Sequence, residues 1–468
     1  MTEPHRVSIR EKISYGFGDL ASVLYWQTIS VHLFFFYTES FGITAAAFSV
    51  MILVSRNMDA ISDPLMGMMA DRTNTKWGKY RPYLLWLCVP FAIFGVLMFT
   101  TPDFSSSGKL IWAWVTFNLF MLSYTAINIP YTSILGVISS DPKVRTSVSS
   151  VKFTFSYTAA LLVSAGMLPM VRLIGGDPKS QVGWQIMFII IGVLAVGFFL
   201  ISFFGTRERV KPPKTQAKFS DDLSDLLRNG PWLILLPLTF TFILFVATRL
   251  IVINHYFLYY VGDREVSLPF FGSRFFTYDS LVSAFNFVGM GAAILGAMFV
   301  GWFAQMTGKK LAFTVLMLIA IVSTAAFYFL QPHQLGWMFF LQILGSFTGA
   351  PLSALLWAMY SDTADYGEWK FGRRSTGLVF SASTMSQKFG WAVGVAVAGW
   401  FLSRAGYVQD MVPTEEVKKV LVLFMSLIPA IVGLIPLGIM YFYPLNDERV
   451  AEIEKELAAR KSTEEGSL

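Results

Sequence analysis

Apolar residues run along most of this chain in long blocks separated by short polar breaks. Twelve blocks can be marked, at 13–37, 43–69, 82–101, 109–137, 150–174, 184–205, 232–261, 277–304, 309–331, 335–360, 375–403 and 419–443. A helix crosses a hydrocarbon core of about 30 Å with about 20 residues, at 1.5 Å per residue. The blocks are close to or above that length, and far longer than the roughly 10 residues of a barrel strand. Helices are then the only spanning form that satisfies the backbone in lipid. The pattern predicts an all-α membrane protein with twelve transmembrane helices. The longest polar internal segment, 206–231, contains Pro212-Pro213 and separates six blocks from six. The expected organisation is a six-helix bundle over 1–205, a linker over 206–231, a second six-helix bundle over 232–445 and a tail over 446–468. Short echoes between the halves support a duplicated unit. Gly67 to Ala70 followed by Gly78-Lys79 is matched by Gly301 to Ala304 followed by Gly308-Lys309.

Composition sharpens this picture. Of 468 residues, 54% are apolar and 14% charged, where a soluble domain has about 25% charged. Mean hydropathy is +0.56. A disordered chain and an ordinary water-soluble enzyme are excluded. The single cysteine, Cys88, allows no intrachain disulfide. The four histidines are too scattered for a zinc motif. The first apolar block carries Gly16, Gly18 and Asp19, unlike a cleavable signal peptide. The net charge of +6 does not point to nucleic acid, because the basic residues lie in the breaks between blocks. Those breaks alternate: one set, with both chain ends, holds 24 Lys and Arg, and the other holds 8. The positive-inside rule places both termini in the cytoplasm.

Charges inside the blocks are the candidate chemistry. Each costs about 2.5–3.5 kcal/mol at a helix centre, so each needs a partner or a wet cavity. In the second block, Asp59 and Asp63 are i,i+4 and share one helical face, with Arg56 within reach of Asp59. Two acids and one arginine leave a negative charge that a proton or a small hard cation would relieve. The competing reading is a packing cluster with Arg56 and Lys388. In the first block, Asp19, Ser22, Trp26 and Ser30 fall along one face. An acid beside an aromatic ring suits a sugar, which offers hydroxyls to one and a C–H face to the other. The fourth block carries Tyr124, Thr125, Asn128 and Thr132 around Pro130, as ligand contacts or as interhelical hydrogen bonds. The eleventh carries Ser381, Thr384 and Lys388 on one stripe. Lys388 lies too deep to snorkel, and the expected partner is Asp59 or Asp63. Lys152 lies close enough to a helix end to snorkel. Arg249 has two open roles: holding an anionic substrate group, or pairing with Asp279.

At these residues the chain resembles the glycoside–pentoside–hexuronide:cation symporters, the melibiose-permease branch of the major facilitator superfamily. The resemblance runs from about Tyr15 to Tyr443. It is carried by Tyr15 to Asp19, Arg56 to Pro64, Asp71 to Pro82, Asn128 to Ser133, Asp365 to Glu368, and Lys388. It implies the major facilitator fold and sugar uptake driven by Na⁺ or H⁺ through alternating access. By the resemblance, Asp19 falls on the sugar-binding acid, Asp59 and Asp63 on the cation-binding acids, and Thr125 on a supporting cation ligand. Tyr124 and Asn128 fall on sugar-pocket positions, Lys152 on a basic sugar contact, and Lys388 on the lysine beside the cation site. Asn128, Thr132 and Ser353 depart from the melibiose branch, which has an acid and two tryptophans there. That directs the expectation away from α-galactosides.

The resulting expectation is symport of a sugar or glycoside, with pentosides and hexuronides in range. The cation sits at Asp59, Asp63 and Thr125. The substrate is lined by Asp19, Trp26, Tyr124, Asn128, Lys152 and Arg249, and Arg56, Thr384 and Lys388 act in coupling. The rival readings are an ion-independent sugar uniporter and a lysolipid carrier of the same fold. No nucleophile–base–acid set or phosphate loop suggests an enzyme. No cofactor beyond the coupling ion, no nucleic acid and no obligate protein partner is expected; the partners are the small-molecule substrate and the bilayer.

Overall fold

The computed structural model describes residues 7–139, 142–210, 224–268, 272–372 and 376–465. The side chains of Arg56, Asn57, Asp59 and a few others lie outside the described residues. Each of the twelve apolar blocks is helical. The first six are α1 (Ile9–Phe35), α2 (Ala45–Arg72), α3 (Arg81–Met98), α4 (Ser106–Val137), α5 (Pro142–Gly175) and α6 (Gln181–Gly205). They are followed by α7 (Gly230–Leu250), α8 (Tyr278–Thr307), α9 (Lys309–Ala326), α10 (Leu335–Gly349), α11 (Pro351–Phe371), α12 (Thr376–Arg404), α13 (Glu415–Met425), α14 (Leu427–Tyr441) and α15 (Asp447–Glu465). A π-helical turn, Phe36–Phe41, extends α1, and another, Phe257–Val261, ends the block that α7 begins.

Three blocks are broken. The seventh is interrupted by a turn at Ile251 and Val252 and resumes as a short helix, Ile253–Tyr256, ahead of its π-helical turn. The tenth splits into α10 and α11 because Pro351 has no N–H to continue the ladder and instead starts a helix. Beyond that break α11 runs past the expected end at 360 to Phe371, where Gly372 takes φ 71°. The twelfth splits at Ser426 into α13 and α14. The connection 262–276 holds an antiparallel hairpin, β1 (Arg264–Leu268) on β2 (Gly272–Phe276), which no periodicity announced.

Ten helical segments among the described residues are long and apolar enough to span a membrane. Ala45–Ser55, within α2, is a shorter apolar helical stretch among the described residues. The helices are apolar on their outer faces as well. Leu173, Phe204, Met298 and Phe329 are each more than 70% exposed, which only lipid makes tolerable on this scale.

Two compact units are present. The first comprises 1–214, 257–287 and 399–417, so two segments beyond the linker pack with the first six helices. In it α1 packs on α5 and α6, α3 on α4 and α6, and α2 on α4. An aromatic core of Tyr25, Phe91, Phe120, Phe188 and Phe199 joins α1, α3, α4 and α6. Gly95 permits it, since a Cβ there would run into the ring of Tyr25. Tyr15 and Tyr131 clamp α1 to α4: their rings stack at 4.7 Å, and each hydroxyl donates to the other's carbonyl, at 3.3 and 2.8 Å.

The second unit comprises 215–256, 288–398 and 418–468. Here α7 packs on α14, and α9 on α10 and α14. Thr239 and Tyr360 share a buried hydrogen bond of 2.6 Å. Asn229 caps α7 and donates to the Thr363 carbonyl at 2.7 Å.

Both units use the same device at the echoed Gly-Lys pairs. Gly78 takes φ 110°, and the Glu208 carboxylate accepts from the amides of Lys79, Tyr80 and Arg81 at 2.8, 2.8 and 2.9 Å. Gly308 takes φ 84°, and Asp447 accepts from the Lys309 amide at 2.8 Å. In each case an acid just after the last helix of a six-block set caps the start of the third.

Candidate functional site

Two aromatic pairs join α1 and α4 within the first unit. The two helices run antiparallel and are pinned at two levels. Tyr15 meets Tyr131 at one, and Trp26 meets Tyr124 at the other, with ring centroids 5.5 Å apart. Between these contacts the register sets Asp19 at the level of Asn128. Asp19 is 7% exposed. It accepts a hydrogen bond from Ser156 and lies 3.4 Å from the Lys152 ammonium. Both partners come from α5, at i and i+4 on the face packed against α1. Lys152 therefore turns inward and does not snorkel. Its ammonium sits near the Tyr131 and Phe153 rings, at 5.8 and 5.7 Å.

Asn128 carries a buried amide nitrogen with no hydrogen-bond partner among the described residues. A buried donor in that condition costs about 1–3 kcal/mol unless a ligand or water accepts from it. The wall thus presents an acid, an ammonium, an open amide donor and two rings, a set suited to a polyhydroxylated substrate with one apolar face. Ser22 does not join it. Ser22 is buried and donates back to the Gly18 carbonyl at 3.1 Å. Thr132 likewise bonds the Asn128 and Ile129 carbonyls.

The cation candidates lie on the other side of α4. Thr125 donates to Asp63 at 2.9 Å. The α2 backbone stays helical through 56–64, so Asp59 and Asp63 keep their i,i+4 spacing. The side chains of Arg56 and Asp59 lie outside the described residues. Consecutive residues of α4 thus serve the two candidate sites: Tyr124 touches the Trp26 ring, and Thr125 touches Asp63.

In the second unit, the Thr384 hydroxyl bonds its own helix at Phe380, and that of Ser381 bonds Leu378. Lys388 follows one turn after Thr384, partly buried on α12. Arg249 donates to Gln342 at 2.9 Å, and its guanidinium lies 4.7 Å from the Phe327 ring centroid. The expected alternative partner, Asp279, is instead paired with Arg172 at 2.7 Å. The stretch 257–287, which includes Asp279, packs with the first unit, which sequence spacing could not reveal.

Sequence reasoning missed Ser156 as a partner of Asp19. Its spacing from Lys152 was the available signal. It also missed Glu39, a lone acid inside Phe34 to Phe41, which is fully buried.

Comparison with known proteins adds an independent line. A family model described as MFS/sugar transport protein matches residues 14–447. Among curated proteins, the chain is 35% identical over 461 residues to the inner membrane symporter YicJ of Escherichia coli, covering 97% of this chain and 96% of that one. It is 35% identical to the putative glycoside/cation symporter YagG of the same organism, covering 98% and 97%. It is 33% identical to the isoprimeverose transporter of Lactiplantibacillus pentosus, covering 98% and 93%. Among solved structures, a bacterial homolog of the human lysosomal transporter Spinster, inward-facing and unoccupied, aligns with a TM-score of 0.63 at 16% identity, covering 94% and 98%. A point mutant of the nucleoside transporter NupG aligns with a TM-score of 0.64 at 12% identity, covering 92% and 99%.

Proposed function

Because the chain belongs to the MFS/sugar transport family, among the glycoside–pentoside–hexuronide:cation symporters, we propose that it couples a sugar or glycoside to a cation through the two sites joined by α4. It is a membrane transporter and not an enzyme. The substrate occupies the wall of Asp19, Trp26, Tyr124, Asn128 and Lys152. The cation, Na⁺ or H⁺, occupies Asp59 and Asp63 with the Thr125 hydroxyl. Arg249, with Asp279 paired to Arg172, is assigned to an anionic substrate group, and Arg56, Thr384 and Lys388 to coupling. Both termini are cytoplasmic, in a bacterial inner membrane.

The single observation that carries this reading is the adjacency of Tyr124 and Thr125. A cation held at Asp63 changes the bond that Thr125 donates to that carboxylate, and with it the α4 turn that bears the ring facing Trp26. Each cargo then changes the affinity of the other by the same factor. A cation also relieves the repulsion between two acids one turn apart.

The test is uptake into vesicles with imposed Na⁺ or H⁺ gradients across a panel of neutral glycosides, pentosides and hexuronides. Asp59→Cys should abolish concentrative uptake while exchange survives. Asp19→Cys should abolish substrate binding. Normal accumulation by either variant contradicts its role, and accumulation that survives collapse of every gradient contradicts coupling.

A further inference from the structure

A second buried acid on the first helical segment belongs to neither site. Glu39 sits in the turn Phe36–Phe41, at the end of the span opposite the N-terminus. It is 20 residues beyond Asp19, about 30 Å along a helix. Its side chain has no accessible surface. Partners reach it from three other stretches of the first unit. Lys179, between α5 and α6, places its ammonium 2.8 Å from one carboxylate oxygen. The Tyr259 hydroxyl donates to the other oxygen at 2.6 Å, and the Tyr407 hydroxyl donates to that same oxygen. The Gln409 amide donates to the Glu39 carbonyl at 2.7 Å. Lys179 also pairs with Asp410 at 2.7 Å. Asp410 is the one non-glycine described residue with positive φ, 53°. In the same unit Arg172 pairs with Asp279, tying α5 to the start of α8.

Stability alone does not call for this arrangement. Replacing a buried ion pair with well-packed apolar side chains is often neutral or stabilising. A polar cluster differs in how it opens. An apolar seal that parts exposes hydrocarbon to water, whereas water replaces each hydrogen bond of a polar seal as it enters. Such a cluster is satisfied when closed and hydrated when open, and it disfavours states between. Its members come from the far ends of segments on both sides of the linker: 36–41 and 179 before it, 259 and 407–410 after it.

We propose that the Glu39 cluster is a latch of the transport cycle. It is closed in the state seen here, it seals the membrane face opposite the N-terminus, and it comes apart each time the carrier opens to that face. The proposal rests on the carrier reading, and its test requires no substrate.

Ser40 supplies the reporter. It is 2% exposed, and its hydroxyl has no hydrogen-bond partner among the described residues. Full-length Ser40→Cys, with Cys88→Ser, is reconstituted in liposomes and labelled from the latch face with a membrane-impermeant maleimide. Adding Glu39→Gln or Tyr407→Phe should raise the labelling rate about tenfold or more, the scale of one lost hydrogen bond to a charged group. Lys179→Gln, nearer the surface, should raise it less. A packing role alone would lower the melting temperature and leave labelling well below that temperature unchanged. Unchanged labelling in Tyr407→Phe and Lys179→Gln overturns the latch even if Glu39→Gln fails to fold. Failure to transport any glycoside would overturn the carrier reading and leave the labelling result intact.

Discussion

Asp19 and Lys152 allow a quantitative test of the substrate wall. At 3.4 Å, two unit charges attract by about 5 kcal/mol at an effective dielectric of about 20. The side chains are only 10% and 17% exposed, so losing hydration costs several kcal/mol per ion and offsets much of that attraction. The expected coupling between the two is therefore about 1–3 kcal/mol. Asp19→Asn leaves a buried ammonium facing an amide. Lys152→Gln leaves a buried carboxylate with Ser156 as its donor. Each single change should destabilise by about 3 kcal/mol, and the double variant by less than their sum by the coupling energy. Equilibrium unfolding in mixed micelles reads all four corners of the cycle. Substrate binding provides the second readout: Asp19→Asn should lose it, and Lys152→Gln should weaken it about tenfold. Single effects that add to the double within about 0.5 kcal/mol would show that the pair is not a unit, and the account of the wall would be wrong.

Thr125→Val removes the donor to Asp63 and should raise the half-saturating cation concentration about tenfold, with Thr125→Ser restoring it; cation titration of uptake checks this, and an unmoved midpoint refutes it. Glu208→Gln strips charge from a carboxylate that caps three amides, and should destabilise by about 1–3 kcal/mol with the cation dependence unchanged; thermal unfolding decides it. Burial pulls the Lys179 ammonium down, but hydrogen bonds to Asp410 and Glu39 outweigh that and hold its pKa above the ordinary 10.5. Its contribution to stability is thus complete below about pH 10.5 and fades as pH rises through the higher folded value. Native protein should lose melting temperature above that pH more steeply than Lys179→Gln, and parallel curves would contradict the pairing.

The helices were legible because lipid demands long apolar runs, and all twelve blocks are helical. The break before Pro351 was readable in principle from the missing N–H, but a hydropathy run hides it. The hairpin of 264–276 was not legible, since five-residue strands outside the bilayer leave little alternation to detect. At the candidate site, Asp19, Tyr124, Thr125 and Asn128 stand out in the sequence because polar residues in lipid are expensive. Which hydroxyls face a ligand was hidden. Ser22 and Thr132 lie on the same stripes, yet both bond carbonyls one turn back, a choice that hydrogen-bond geometry makes and spacing does not. Glu39 escaped notice because its partners are more than 130 residues away in sequence.

The reciprocal tyrosine clamp has a mechanical meaning. With Tyr15 and Tyr131 each holding the other's backbone, the first and fourth helices cannot slide without breaking two bonds and a ring stack together. Asp19 on the first helix and Thr125 on the fourth, the residues proposed for the two cargoes, are thereby carried on one clamped pair of helices. If both cargoes bind as proposed, the clamp makes their two seats travel as fellow riders, with only the width of one helix between them.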